Sequence, residues 1–289
     1  MSSINIKTTI KKGNVEIPQF GLGTYLVDPK DIESSVRAAV NNGYIHIDTA
    51  SYYKNEQAIG DVLKAIFKEG KIKREDIFIT TKCGCIEHGK EESRRAFERS
   101  LSKLQLEYID LYLVHYPGML AAIPKGETSS SLRKQTWETF EELYNEKKIR
   151  SIGVSNYTIR HLEELFAHAK IRPVVNQVEF HPLLNQVELL NFCNKNDIIL
   201  EAYGSLGGGE LVDHPTIVNI AKQVNKTTSQ VLLRWAIQKN LMIIPKSTKE
   251  ERIKENANIF DFELSSAHIT QLDSLNKNKR FYWNPEDVQ

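Results

Sequence analysis

Residues 43–60 read GYIHIDTASYYKNEQAIG, and the reading of this stretch decides that of the whole chain. A short apolar run over 44–48 ends on Asp48, Tyr53 follows five residues later, and Ile59, Val62, Leu63, Ile66 and Phe67 then recur at helical spacing. That is a strand, a polar mouth and a covering helix. Working outward, similar apolar runs occupy 20–23, 77–82, 109–115, 151–154, 174–178, 198–203 and 241–244, which makes eight with 44–48. Amphipathic stretches separate them. Asp28-Pro29 supplies a cap and a first-turn proline ahead of Ile32, Val36 and Val40, and Trp137, Phe140, Leu143 and Tyr144 precede the fifth run. These stripes read as core packing rather than as a cofactor box. Continuous apolar strands imply burial on both faces, as parallel sheets under helical covers require. Eight such units predict closure into a (β/α)8 TIM barrel. A doubly wound sheet is the competitor, but GLGTYL at 21–26 lacks the third glycine of a dinucleotide fingerprint. Residues 8–18 carry a KKGN turn between extended arms and predict a hairpin plugging the barrel bottom.

Composition narrows the function classes. Of 289 residues, 38 are Lys or Arg and 37 are Asp or Glu, so no net field argues for nucleic acid or an anionic membrane as partner. No stretch approaches the roughly 20 apolar residues of a membrane span. The opening MSSINIKTTIKK has no signal-peptide apolar region. Cys83, Cys85 and Cys193 are too few for a disulfide framework. The expectation is a cytoplasmic, monomeric protein of one domain, 1–289, acting on a small molecule. Cys83-Gly84-Cys85 and His46-Ile47-Asp48 do not suit metal binding, and no metal is expected.

In a TIM barrel the reaction chamber lies at the C-terminal ends of the strands. Asp48, Lys82 and His115 all stand at such ends, with Tyr53 on a loop over the same mouth. Each alone has a bland reading as a polar strand terminus. Together they suit carbonyl reduction, in which hydride transfer generates an alkoxide that needs a proton. A tyrosine with an ordinary pKa of about 10 suits the donor role if a neighbouring ammonium lowers that value. Lys82 is placed to do so, with Asp48 holding it charged and His115, as neutral imidazole, hydrogen bonding the carbonyl oxygen. A barrel aldolase using Lys82 as a Schiff-base amine is the rival enzyme reading. A cofactor-bound regulatory protein is the non-enzymatic one.

The runs GYIHIDTASYYKNEQAIG, IFITTK (77–82), DLYLVHYP (110–117), KIRSIGVSN (148–156), VVNQVEFHP (174–182) and IIPKSTKEERIKEN (243–256), in that order, resemble the aldo-keto reductase superfamily across essentially the whole chain. The likeness is to its short aldehyde reductase, diketogluconate reductase and prostaglandin F synthase kind. The resemblance implies Tyr53 as proton donor, Asp48 and Lys82 as its tuning pair, and His115 as the substrate-orienting group. It implies NADPH/NADP+ as cofactor, with the carboxamide held by Ser155, Asn156 and Gln177 and the nicotinamide ring stacked on Tyr203. Gly23, Thr24 and Tyr25 border the same cofactor. Locally, Ser155 and Asn156 also read as a helix cap.

Loops after strands seven and eight of such barrels commonly bind phosphate. Gly204, Ser205, Leu206 and Gly207, continuing into Gly208 and Gly209, read as a pyrophosphate loop or as mere flexible chain. Lys246, Ser247 and Thr248 lead into a helix with Ser247 and Glu250 at capping-box spacing. Lys246 and Arg252 then clamp a 2′-phosphate, and Glu255 and Asn256 match family contacts to adenine. Gly204-Ser205-Leu206-Gly207 departs from the family's usual Ser-Pro-Leu-Gly. Tyr25 and Tyr116 stand where many relatives carry tryptophan. Tyr25, Tyr52, His115, Tyr116 and Trp283 are the expected substrate wall, Trp283 coming from a short tail after Lys279. By resemblance the substrates range over small or lipid-derived carbonyls, sugar aldehydes and prostaglandin endoperoxide.

Overall fold

Gly13 turns the chain at φ +56°, in the left-handed region that favours glycine, and so joins β1 (Thr9–Lys12) to β2 (Val15–Pro18) as an antiparallel hairpin. The computed structural model describes residues 4–289. Val15 and Ile17, both buried, pack with Phe78, Leu111, Leu113, Val175, Ile199 and Met242, which come from the strands that follow. The hairpin therefore closes the barrel's N-terminal end, as its sequence suggests.

Those strands are β3 (Leu22–Gly23), β4 (His46–Asp48), β5 (Phe78–Cys83), β6 (Ile109–Val114), β7 (Ile149–Ser155), β8 (Val175–Glu179), β9 (Ile199–Tyr203) and β10 (Met242–Ile243). They form one sheet in sequential order, every pair parallel. The ends of the sheet meet. Gly21 N donates to Ile243 O at 2.9 Å, Ile243 N to Gln19 O at 3.0 Å, and Gly23 N to Pro245 O at 3.2 Å. A Cβ on Gly23 would lie 2.6 Å from the Ile244 carbonyl oxygen, so this seam has room only for glycine there. All eight predicted runs are strands or strand-bearing segments, displaced by a residue or two at their ends.

Among the described residues ten α-helices surround the sheet: α1 (Pro29–Asn41), α2 (Glu56–Lys68), α3 (Lys90–Leu104), α4 (Ser129–Asn145), α5 (Ile159–Phe166), α6 (Val187–Lys195), α7 (Pro215–Val224), α8 (Thr228–Gln238), α9 (Glu250–Ala257) and α10 (Ser266–Asp273). Local chemistry starts several of them. Asp28 caps α1 by accepting from Lys30 N, with Pro29 at the first helical position. Thr158 caps α5 in a capping box with His161, so Ser155 and Asn156 are not its cap.

Inside the barrel, alternate residues of each strand share the lumen. At the base these are apolar, as in Phe78, Val175, Ile199 and Met242. Farther along the same strands stand Lys82, Gln177 and Glu201, all buried. The apolar floor drives folding by burial, and the polar upper layer carries the chemistry. Ile17→Ala should lower stability by about 2–5 kcal/mol through loss of buried methylenes at the plug. Urea unfolding checks this: the midpoint should fall with the slope unchanged.

Candidate active site

Lys82 is the hub of the upper layer. Its Nζ donates to Asp48 Oδ1 at 2.6 Å, to the Thr49 carbonyl at 2.9 Å and to the Tyr53 hydroxyl at 3.2 Å. Strand register makes this possible, because β4 and β5 are adjacent and Asp48 pairs with Thr80, two residues before Lys82. Tyr53 arrives on a single turn of 3-10 helix, Ser51–Tyr53, and Lys82 also lies 4.8 Å from the centroid of its ring. The His115 ring stands 5.5 Å from that of Tyr53. All three N–H positions of the ammonium are engaged by acceptors, so Lys82 is built as a fixed cation rather than as a free nucleophilic amine.

Burial sets the protonation of this group. It lifts the Tyr53 phenol well above its ordinary value, with the Asp48 carboxylate adding to the rise. This reverses the expectation that Lys82 would lower it. The ammonium's charge is already matched by Asp48, so the phenol gains little from it and keeps its proton. Burial likewise holds His115 well below the usual imidazole value, helped by Lys82, and its ring is neutral as expected. Cys83 and Cys85 are buried thiols, Cys83 well above the usual value and Cys85 pushed up to about 12. A reactive thiolate at the mouth is thus disfavoured.

A cavity of about 500 Å³ opens over the tetrad of Asp48, Tyr53, Lys82 and His115, with Lys82 fully buried and outside the lining. Of the residues singled out from the sequence, Gly23, Tyr25, Asp48, Tyr53, His115, Ser155, Asn156, Gln177, Tyr203, Gly204, Ser205, Leu206, Lys246 and Arg252 all line it, as does Trp283. Asn156 sits at φ +62°, a conformation asparagine tolerates better than most residues. In that posture its Nδ2 donates to the His115 carbonyl at 2.9 Å, and its Oδ1 accepts from the Tyr203 hydroxyl at 2.7 Å. Tyr203 is thereby held edge-fixed in the wall.

Other sequence candidates stand back from the cavity. Thr24 is buried and donates to the Asp48 carbonyl at 2.8 Å, so it braces the strand end. Gly207 is buried beneath Leu211. Ser247 does not form the expected capping box with Glu250. Its Oγ instead accepts from Lys249 N at 3.1 Å in a local turn, and α9 begins after Lys249 with no side-chain cap. Ser247 and Thr248 do not line the cavity. Glu255 is taken by the Thr227 hydroxyl at 2.8 Å, and Asn256 is buried in the helix interface, so neither reaches the lining.

The cavity suits a phosphorylated dinucleotide on grounds of its own chemistry. Lys246 and Arg252 reach it without a carboxylate partner among the described residues, and glycines 204, 208 and 209 turn their backbone past it in the left-handed region. A family model described as "Aldo/keto reductase family" matches residues 19–277. The chain belongs to the aldo/keto reductase family. It is 46% identical over 286 residues to a glyoxal reductase of Bacillus subtilis, covering 98% of each chain. It is 42% identical to a 9,11-endoperoxide prostaglandin H2 reductase of Trypanosoma cruzi, covering 95% of this chain and 93% of that one. The crystal structure of an aldo-keto reductase from a Medee basin deep-sea metagenome superposes with a TM-score of 0.87 at 39% identity, over 96% of this chain and 97% of that one.

In this aldo/keto reductase one side of the cavity carries aromatic rings gathered around Trp283. The His115 and Tyr116 rings each lie 5.2 Å from Trp283, and Tyr52 lies 6.1 Å away. Tyr116 is buried and Tyr52 exposed, and neither is in the lining, contrary to the expected substrate wall. Tyr282, expected with Phe281 and Trp283 as part of a pocket lid, lines the wall, as does Leu26, which was not singled out. Nor was Glu179, the buried end of β8. Its carboxylate accepts from Phe281 N at 2.7 Å, Tyr282 N at 3.2 Å and His181 Nε2 at 2.9 Å, and so clamps the segment that carries Trp283. The only sequence signal was an acidic residue ending an apolar strand. Glu179→Gln should weaken these charge-assisted bonds, worth roughly 1.5–3 kcal/mol each. Hydrogen exchange checks it: the Phe281 and Tyr282 amides should lose protection while those of β6 keep theirs.

Proposed function

We propose that this protein reduces aldehydes or ketones to alcohols with NADPH, Tyr53 delivering the proton. The observation that carries the reading is the contact of the Tyr53 hydroxyl with an ammonium already neutralised by Asp48, at the wall of a cavity shared with His115. The reduced nicotinamide, when bound, supplies the hydride. Ser155, Asn156 and Gln177 are the polar groups placed to hold its carboxamide, with Tyr203 as the aromatic wall. Lys246 and Arg252 would take the 2′-phosphate.

The protein's own part is proton delivery and orientation. His115 is neutral, so its ring N–H donates to a carbonyl oxygen without competing for the proton. A phenol held above its ordinary pKa keeps its proton until an alkoxide, a much stronger base, develops beside it. Lys82 Nζ, at 3.2 Å, then stabilises the phenolate left behind. The aromatic side chains of the lining, Tyr25, Tyr282 and Trp283, favour compact or apolar carbonyl compounds. The names of the relatives, a glyoxal reductase and a prostaglandin endoperoxide reductase, support that range.

Tyr53→Phe should cut turnover by about 10²–10⁴, the usual worth of general acid catalysis, while NADPH binding persists. Following NADPH absorbance with an aldehyde panel and cofactor fluorescence tests both halves; undiminished turnover would rule out Tyr53 as donor. The double variant Lys246→Ala with Arg252→Ala should raise KM for NADPH far more than for NADH. Equal changes for both would contradict the 2′-phosphate role.

A further inference from the structure

Glu201 sits in the lumen on β9, fully buried. Its Oε2 accepts at 2.8 Å from Gln177 Nε2, and the same nitrogen donates at 2.8 Å to Asp48 Oδ2. One amide thus yokes two carboxyl groups, and Asp48 is in turn bound to Lys82. The second oxygen of Glu201, Oε1, is buried with no partner among the described residues. The groups around it are Asp48 from β4, Lys82 from β5, Tyr53 from the loop after β4 and Gln177 from β8, while β10 sets apolar Met242 opposite. A single ammonium therefore faces two carboxyls and touches only Asp48. An ionised Glu201 would carry an unmatched charge and an unsolvated oxygen.

We propose that Glu201 is a positioning residue of this reaction centre, held as the neutral acid so that Gln177 can bridge to Asp48 without a second negative charge in the lumen. Gln177 Nε2 spends both of its hydrogens on the two carboxyls, which fixes its amide plane toward the cavity. Burial and the Asp48 charge push the Glu201 carboxyl up to about 8. Burial raises Asp48 as well, but Lys82 pulls it back, so Glu201 is the member of the pair that keeps the proton. When Glu201 ionises, its charge raises the Tyr53 phenol further and opposes an alkoxide nearby. Reduction should then slow on the alkaline side.

The consequence for turnover rests on the carbonyl-reduction reading, whereas the protonation state does not. Infrared difference spectra of the protein alone, taken as pH rises from neutral, should lose one carboxylic-acid carbonyl band with a midpoint near 8. E201Q should lack the band. D48N should retain it at a lower midpoint, because the facing charge is gone. A wild-type protein without this titration, or an E201Q variant that keeps it, overturns the proposal; if E201Q does not fold, the wild-type band and the D48N shift decide it. Between the ordinary glutamate value of 4.5 and about 8 the folded state binds a proton that the unfolded chain has released, so wild-type stability falls as pH rises through that window. The melting temperature of E201Q should fall less over the same range. With NADPH and aldehyde, wild-type kcat should decline with the infrared midpoint and the E201Q decline should move to higher pH. An unmoved decline refutes the coupling to Tyr53. Absence of any turnover in the wild type would sink the reduction reading instead, with the infrared arm still deciding the state of Glu201.

Discussion

An ammonium with no exposure to water must be matched within the protein, and the upper half of this barrel is arranged around that requirement. Lys82 is fully buried and meets Asp48 at 2.6 Å. Removing either partner would strand a charge in a medium that solvates it poorly. The pair therefore fixes the separation of β4 and β5 at their C-terminal ends, and with it the position of the Tyr53 hydroxyl. The Thr24 hydroxyl on the Asp48 carbonyl and the Gln177 amide on its carboxylate continue the same bracing outward. A reaction centre of this kind is pre-oriented, since Lys82, Asp48, Tyr53 and Gln177 hold one another in place before any ligand arrives.

This arrangement separates the tasks of the lumen. The floor under the site is apolar and sealed by the hairpin, and supplies the free energy of burial that holds the strands together. The layer above it contains mostly groups that cost energy to bury. Asn156, held at φ +62°, carries further strain at the point where its side chain links His115, just past β6, to Tyr203 on β9. Stability generated at one end of the barrel thus supports a polar constellation at the other.

Much of this could be read along the chain because it is local. The eight strands announce themselves by apolar runs, the helix after Asp28 by its cap and proline, and the tetrad by polar residues ending those runs. What escaped reading depends on groups distant in sequence. The shift of Tyr53 has the opposite sign to the local argument because Asp48 neutralises Lys82 and the cavity wall removes water, neither of which spacing reveals. Glu179 and Glu201 look like ordinary polar residues of β8 and β9 until the fold sets Glu179 against residues 102 or more positions away and Glu201 against Gln177 on the neighbouring strand and the charge of Asp48. The capping box at Ser247 fails for a different reason: the hydroxyl finds a nearer partner in Lys249 N, and the helix starts later than the motif suggests.

The seam of the sheet also governs how the chain must assemble. Gln19 spans it twice, through its backbone carbonyl to Ile243 N and through its side-chain amide to the Leu241 carbonyl at 3.1 Å. These contacts join segments more than 220 residues apart, so the ring cannot be completed from local pieces. During synthesis, β3 emerges long before the strand that will flank it. Until β10 leaves the ribosome the nascent sheet has two open edges, which are the surfaces that chaperones shield and that mispair when left uncovered.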